Sequence, residues 1–190
     1  MTHIPPTEEK VFMTSAKWRQ ERPHILVVAC SDGRYQEALD EFLLNHLGIE
    51  DYDRLYAPGG PGALVSSAIS HFRGVQFQDE AKFLLDAHGL ERVILIVHGP
   101  VEGSRPSEAR CADYLRKMPG NSVGEMRLRQ AEDLSRVATL MKSHKPTVSL
   151  QIFAAEVRED RRVQFVPVPV LSDYTFPLWG SADFFSGLDR

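Results

Sequence analysis

The feature that most constrains this chain is an apolar run that ends in a group of reactive side chains. Residues 25–35 read Ile-Leu-Val-Val-Ala-Cys-Ser-Asp-Gly-Arg-Tyr. Five successive apolar residues without alternation are typical of a strand that is covered on both faces of a sheet. The turn and the helical spacing that follow place Cys30, Asp32 and Arg34 at the carboxyl end of this strand, which is where open α/β sheets bind ligands.

The residue types in this motif point to metal binding or nucleophilic chemistry. A thiol at a sheet edge beside a helix N-terminus has a lowered pKa, so Cys30 is suited to be a thiolate ligand or a nucleophile. Asp32 and Arg34 are close enough in sequence for a carboxylate–guanidinium pair that keeps Asp32 ionised. The structural alternative is a small buried cysteine followed by a surface ion pair. Three such groups within five residues favour a functional site.

A second polar residue follows another buried strand. Residues 93–97 are apolar, and His98 comes directly after them. A single histidine is usually structural, but His98 ends a predicted strand as Cys30 does. Strands and helices alternate with short connections up to this point, which predicts right-handed crossovers and a mostly parallel sheet.

Taken together, these segments resemble the β-class carbonic anhydrases. Cys-Ser-Asp-Gly-Arg is similar to the Cys-x-Asp-x-Arg signature of that family, in which the cysteine binds zinc and the Asp–Arg pair gates the metal. The strand that ends in His98 resembles the family's strand before its zinc-binding histidine. The resemblance runs over most of the chain from about residue 24. It implies a Zn²⁺ cofactor held by Cys30 and His98, with Asp32 and Arg34 as catalytic residues.

The third metal ligand departs from the family pattern. The family has His-x-x-Cys, and here the fourth position of that motif is Val101, which cannot bind a metal. The second cysteine of the chain is Cys111, in a segment that resembles the Cys-Gly-Ala-Tyr that usually follows the histidine. We therefore interpret residues 99–110 as carrying an insertion and Cys111 as the displaced third ligand.

Two alternatives to this third ligand stay open. Zinc also accepts carboxylate oxygen, so Glu102 is a weaker candidate. Cys111 is also explained as part of an apolar helical stripe, in which its thiol is simply core. The stripe consists of Cys111, Ala112, Leu115 and Met118.

A glycine-rich segment after the predicted strand 53–57 provides a further element of the resemblance. Residues 56–60 read Tyr-Ala-Pro-Gly-Gly, where the family has Arg-Asn-Ala-Gly. Tyr56 and Ala57 stand where the family has Arg and Asn, so the contacts that those two family side chains make are in question. Gly59 and Gly60 still allow the same backbone path. The resemblance implies that these two glycines let the backbone approach the substrate.

Composition limits the number of domains and the class of partner. At 190 residues and 43% hydrophobic content, the chain suits one sizeable core. We expect a polar N-terminal arm over residues 1–21 and one α/β domain over residues 22–190. The net charge of −4 gives no basic field for nucleic acid or for an anionic membrane. Without a signal-peptide pattern or an apolar run of about 20 residues, we expect a cytoplasmic protein.

The remaining periodicity predicts the elements around the sheet. An apolar stripe from Leu39 to Leu47 indicates the first helix, and helices are also expected over residues 63–72, 77–88 and 123–141, the last with Asp133 on a solvated face. Ser107 is expected to cap a helix that runs to Met118. Residues 148–157 and 161–166 read as a hairpin-like antiparallel edge. The fold class is therefore α/β, with a mostly parallel central sheet flanked by helices.

The resemblance implies a zinc-dependent hydro-lyase that interconverts CO₂ and bicarbonate, and a homodimer or higher homo-oligomer in which the arm packs on a partner subunit. The aromatic residues of the tail, 172–190, indicate that it docks onto the body of the protein or onto a second subunit. Two other functions stay open. Val101 is consistent with a metal-free binding or regulatory protein on the same fold. A cysteine-nucleophile enzyme would use Cys30, although Arg34 is too close to Cys30 for a Cys-x₅-Arg anion cradle.

Overall fold

A computed structural model of the chain describes residues 12–66, 70–103 and 106–169, apart from the side chain of His71. Its strands are β1 (Ile25–Cys30), β2 (Asp53–Ala57), β3 (Arg92–Pro100), β4 (Ser149–Val157) and β5 (Val163–Pro167). They form one sheet in the order β2-β1-β3-β4-β5, in which the first four strands are parallel and β5 runs antiparallel to β4. The expected mostly parallel sheet with an antiparallel edge is confirmed.

The helices follow the alternation that the sequence predicts. They are α1 (Gln36–Glu41), α2 (His71–Ala87), α3 (Ala112–Lys117) and α4 (Val123–His144). A wider π-turn over Phe42–His46 extends α1, and 3₁₀ turns cover Gly33–Tyr35, Gly60–Leu64 and Ser107–Ala109. None of the described helices combines the length and the apolar character that a membrane crossing requires.

The sheet is buried on both faces. Successive residues of a strand point to opposite faces, so β1 sends Leu26 and Val28 to one apolar cluster and Val27 and Ala29 to another. The first cluster packs with α2 and α4, and the second packs with α1 and its π-turn. This two-sided burial explains why the strands read as unbroken apolar runs.

Two predicted helix boundaries are wrong. Residues 63–72 do not form one helix, because the 3₁₀ turn ends at Leu64 and α2 begins only at His71, where the Ser70 side chain accepts from the backbone of the first turn. Ser107 begins a separate 3₁₀ turn, and α3 starts at Ala112 with Cys111 as its N-cap residue. Glycine and proline at the start of the first segment favour tight turns over a regular helix.

The described part of the predicted arm, from residue 12 to residue 21, forms neither helix nor strand. Its Arg19 pairs with Glu50 and Asp51 on the body of the protein. The boundary between arm and domain stays a prediction. The aromatic tail lies outside the described residues, with Phe176, Trp179, Phe184 and Phe185.

Candidate metal centre

Cys30, His98 and Cys111 come together at one point of the sheet edge. Their ligand atoms all lie within 4.8 Å of one another, and all three side chains are buried. The two sulfur atoms are 3.9 Å apart. The fold therefore brings Cys111 next to Cys30 and His98, as its interpretation as the displaced third ligand requires.

The sheet topology places two of these side chains side by side. Strand β1 lies between β2 and β3 in the sheet. The chain passes from β1 to β2 on one side and later returns to β3 on the other side, so the strand order reverses at β1. Open α/β sheets bind ligands at such a topological switch point. Pairing of β1 with β3 stops at Val28 and Leu95, whereas β3 stays paired with β4 as far as Pro100. The two strands separate beyond this point, and Cys30 and His98 lie at the opening.

Cys111 comes to this opening from a helix, whereas Cys30 and His98 lie on strands. It has an extended backbone at the N-cap of α3, and its side chain is 1% exposed. The apolar stripe proposed for this helix is wrong, because Ala112 and Leu115 are exposed and the buried side chains of α3 are Asp113 and Tyr114.

Glu102, the other candidate for the third ligand, does not belong to the described cluster. Its carboxylate packs against the start of α4, where a Cβ on Gly124 would lie 2.6 Å from Glu102 Oε1. Cys111 is thus the side chain that accompanies Cys30 and His98.

The three residues fit a zinc ion. Two thiolates at about 2.3 Å from a tetrahedral zinc are about 3.8 Å apart, and the observed sulfur separation is 3.9 Å. His98 Nε2 is buried and has no hydrogen-bond partner among the described residues. A buried polar atom without a partner is costly, and a bond to a metal would satisfy it.

Each thiol of the Cys30–Cys111 pair shifts the pKa of the other. The interaction with Cys111 and then burial raise the pKa of Cys30, although the backbone N–H groups of Gly59 and Asp32 act in the opposite direction. The interaction with Cys30 and the nearby His98 imidazole lower the pKa of Cys111. Because the two thiols contact each other, their titrations are coupled, and the expectation that Cys30 is the acidified thiol stays a prediction.

Asp32 and Arg34 form the predicted pair. Arg34 Nε donates to Asp32 Oδ1 at 2.9 Å, and the Arg34 backbone N–H donates to the same oxygen at 3.1 Å. The hydrogen bonds from the Arg34 side chain lower the pKa of Asp32 to about 2. Arg34 Nη1 also donates to the Glu108 carbonyl at 2.8 Å, so the inserted segment helps to hold the pair.

A cavity of about 220 Å³ opens beside this pair and His98. Apolar side chains and two arginines share its walls. The lining residues are Asp32, Arg34, Tyr35, His98, Pro106, Glu108, Ala109, Val157, Arg161 and Val163. A larger groove of about 440 Å³ lies against α4, β4 and β5, but none of the three candidate ligands lines it.

Gly59 and Gly60 are packed against the protein. A Cβ on Gly59 would lie 2.5 Å from Asp113 Oδ2, and a Cβ on Gly60 would lie 2.9 Å from Cys30 N. Both residues have positive φ, a region that glycine adopts at little cost. The described contacts assign them to the support of Cys30 and α3, and their contact with substrate stays a prediction.

A buried charged network holds α3 to the rest of the site. Asp133 is 0% exposed, which contradicts its predicted place on a solvated face. It accepts hydrogen bonds from Tyr114 Oη at 2.9 Å and Ser66 Oγ at 2.8 Å. Lys117 Nζ lies 2.9 Å from Asp113 Oδ2 and 3.8 Å from Asp133 Oδ2. These contacts fix α3, the helix whose N-cap residue is Cys111.

Tyr35, like this network, was not predicted from the sequence. Tyr35 is buried, and its ring stacks on His98 with the ring centroids 4.9 Å apart. Burial raises the pKa of its hydroxyl, so this group keeps its proton. The available signal was an aromatic residue in the turn directly after Arg34.

Comparison with known proteins gives limited matches. No protein-family model matches the chain. Over 74 residues, the chain is 32% identical to an uncharacterized protein of Rickettsia bellii, and the match covers 38% of this chain and 44% of that relative. The aligned part therefore spans less than half of the relative's length.

Three solved structures are among those to which the chain is similar. The β-carbonic anhydrase isoform I of Trichomonas vaginalis has a TM-score of 0.44 and 11% identity, over 80% of this chain and 87% of that one. The carbonic anhydrase of Streptococcus mutans has a TM-score of 0.44 and 14% identity over the same shares. An apo carbon disulfide hydrolase has a TM-score of 0.41 and 16% identity, over 76% and 78% of the two chains. At these identities and TM-scores, the matches leave the activity of this chain open.

Proposed function

We propose that this chain is a zinc-dependent enzyme that interconverts CO₂ and bicarbonate, with Cys30, His98 and Cys111 as its three metal ligands. The observation that carries the proposal is the convergence of these residues, with ligand atoms within 4.8 Å of one another, beside the Asp32–Arg34 pair. Three protein ligands are typical of a catalytic zinc site, which keeps one position open. When bound, zinc would supply the Lewis acidity that lets water act as a nucleophile near neutral pH.

The protein residues have separate roles in this reaction. Arg34 keeps Asp32 ionised and aimed, so Asp32 can accept a hydrogen bond from the attacking water and orient it. Apolar walls from Val157 and Val163 suit the neutral CO₂ molecule, and the two arginines of the cavity suit the bicarbonate anion. The cavity of about 220 Å³ has room for either molecule.

The two alternatives are less well supported. The metal-free protein was inferred from Val101, but Cys111 supplies the thiol that Val101 lacks. The nucleophile hypothesis needs an accessible, acidified Cys30, whereas Cys30 is buried and its sulfur lies against a second thiol.

CO₂ hydration by the zinc-loaded protein, followed in a stopped-flow pH-indicator assay, tests the proposal. We expect turnover in the wild type, loss of turnover in His98→Ala, and no change in His46→Ala, since His46 is exposed. A wild type that holds zinc and yet hydrates CO₂ no faster than buffer would contradict the proposed activity. Turnover that survives removal of the metal would contradict the zinc mechanism.

A further inference from the structure

The end of strand β1 has an unusual hydrogen-bond partner. Cys30 follows the last residue pairs between β1 and β3, and Ser31 N–H already donates to Ala57 on the β2 side. The backbone groups of Cys30 are bonded instead by one side chain. Tyr35 Oη accepts from Cys30 N–H at 3.1 Å and donates to the Cys30 carbonyl at 3.2 Å.

The ring of the same side chain contacts the second candidate ligand. It stacks on the His98 imidazole with an interplanar angle of 20°. The 3₁₀ turn at Gly33–Tyr35, capped by Asp32, folds the chain back so that Tyr35 fills the opening between the separating strands. With 4% of its surface exposed, the side chain is almost enclosed there.

We propose that Tyr35 is a positioning residue of the metal centre: its hydroxyl fixes the backbone of Cys30 and its ring fixes the plane of His98. This proposal rests on the zinc site proposed above. Groups that orient metal ligands change metal affinity without touching the metal. The alternative is that Tyr35 only fills space in the core, in which case its hydroxyl has no effect on the ligands beyond general stability.

Tyr35→Phe separates these possibilities, because it keeps the ring and removes both hydrogen bonds to Cys30. Tyr52→Phe is the matched control, since the Tyr52 hydroxyl donates to Asp40 at 2.6 Å and contacts none of the candidate ligands. Tyr35→Leu is the second variant, which removes the ring from His98 as well. Co²⁺ is the probe because its thiolate charge-transfer and d–d bands report ligand geometry independently of activity. Competition with a chelator gives the affinity, and thermal melting without metal gives the stability of each variant.

We expect Tyr35→Phe to lower Co²⁺ affinity about 10- to 100-fold and to shift the thiolate bands. Tyr52→Phe should alter melting but leave affinity and spectrum unchanged. Tyr35→Leu should lower the affinity further, because His98 also loses its support. A wild type that binds Co²⁺, combined with a Tyr35→Phe protein of unchanged affinity and spectrum, would overturn the role of Tyr35 and leave the zinc site intact. A wild type that binds no Co²⁺ would overturn the zinc site and this proposal together.

Discussion

The sulfur atoms of Cys30 and Cys111 lie 3.9 Å apart, although 81 positions separate the two residues in sequence. Cys30 ends a central strand, whereas Cys111 precedes the short helix α3. A helix of six residues has little stability of its own. The position of Cys111 therefore depends on the buried contacts of Asp113 and Tyr114, which lie less than one helical turn after it.

The buried charged network that holds α3 should lose stability when Lys117, the cation shared by two of its carboxylates, is replaced. Lys117 is buried between Asp113 and Asp133. Lys117→Met removes the ammonium group that these carboxylates share and leaves each with one guanidinium, from Arg73 and from Arg129 respectively. We expect the free energy of unfolding of the metal-free protein to fall by about 1–3 kcal/mol, measured by urea denaturation.

Lys82→Met is the control for this change, since Lys82 forms an exposed pair with Asp79 at 3.6 Å. That substitution should cost less than about 1 kcal/mol. Equal, small losses in both variants would show that the buried lysine does not hold α3.

The close approach of Gly60 to β1 predicts a second stability effect. Gly60 has φ of 55°, and an added Cβ would lie 2.9 Å from Cys30 N. Gly60→Ala should therefore lower the free energy of unfolding by about 2 kcal/mol or more and weaken zinc binding by displacing Cys30. Gly33→Ala should do neither, because nothing lies within 4 Å of the added atom. Similar melting temperatures and zinc affinities for the two variants would refute the packing role of Gly60.

Removal of Arg34 should separate metal binding from turnover. Arg34→Ala leaves Asp32 without the guanidinium that aims it, so we expect CO₂ hydration to fall by about 100-fold with zinc content unchanged. Arg162→Ala is the control, because Arg162 pairs with Asp160 at the same two-residue spacing on an exposed turn. Wild-type turnover in the Arg34 variant would remove the pair from the mechanism.

The same pair predicts a pH dependence of stability. Arg34 lowers the pKa of Asp32 to about 2 in the folded protein, below the value of about 3.9 in an unfolded chain. The pair therefore stabilises the fold above pH 4, and this contribution is lost as the pH falls toward 2. In metal-free protein, the difference in unfolding free energy between wild type and Arg34→Ala should shrink from pH 5 to pH 2. If the difference in unfolding free energy between the two proteins stayed constant from pH 5 to pH 2, the stabilising role of the Asp32–Arg34 pair would be contradicted.

The exposed apolar residues near the N-terminus predict self-association. Phe12, Met13 and Trp18 are 86%, 87% and 93% exposed, and burial against a second copy would remove this surface from water. Light scattering should give at least twice the chain mass of 21.4 kDa. A species of 21.4 kDa at working concentration is incompatible with the dimer.

Sequence reasoning succeeded where unbroken apolar runs end in polar residues. Cys30 and His98 follow such runs, and parallel strands bring their carboxyl ends to one edge. Cys111 lacks this signal, since the residues before it form turns, and its assignment depended on the resemblance to a family.

The supporting residues could not be predicted for a different reason. Tyr35 acts through a 3₁₀ turn that folds back on Cys30, and local periodicity does not report such a return. Asp133 lies on a helix where charge suggested exposure, but its burial is compensated by Tyr114 and Ser66. These partners are distant in sequence, so only the folded chain reveals them.

The zinc content of the wild type and of Cys111→Ser, purified without an affinity tag, tests the central claim most directly. The account predicts one zinc per wild-type chain and a collapse of zinc occupancy in Cys111→Ser, because serine keeps the size of the side chain and removes the thiolate. Ala81→Ser places the same hydroxyl at another buried position, on α2, and should retain full zinc even if its melting temperature falls. Full zinc occupancy in Cys111→Ser, or a wild type that binds no zinc when the metal is supplied, would contradict the three-ligand centre.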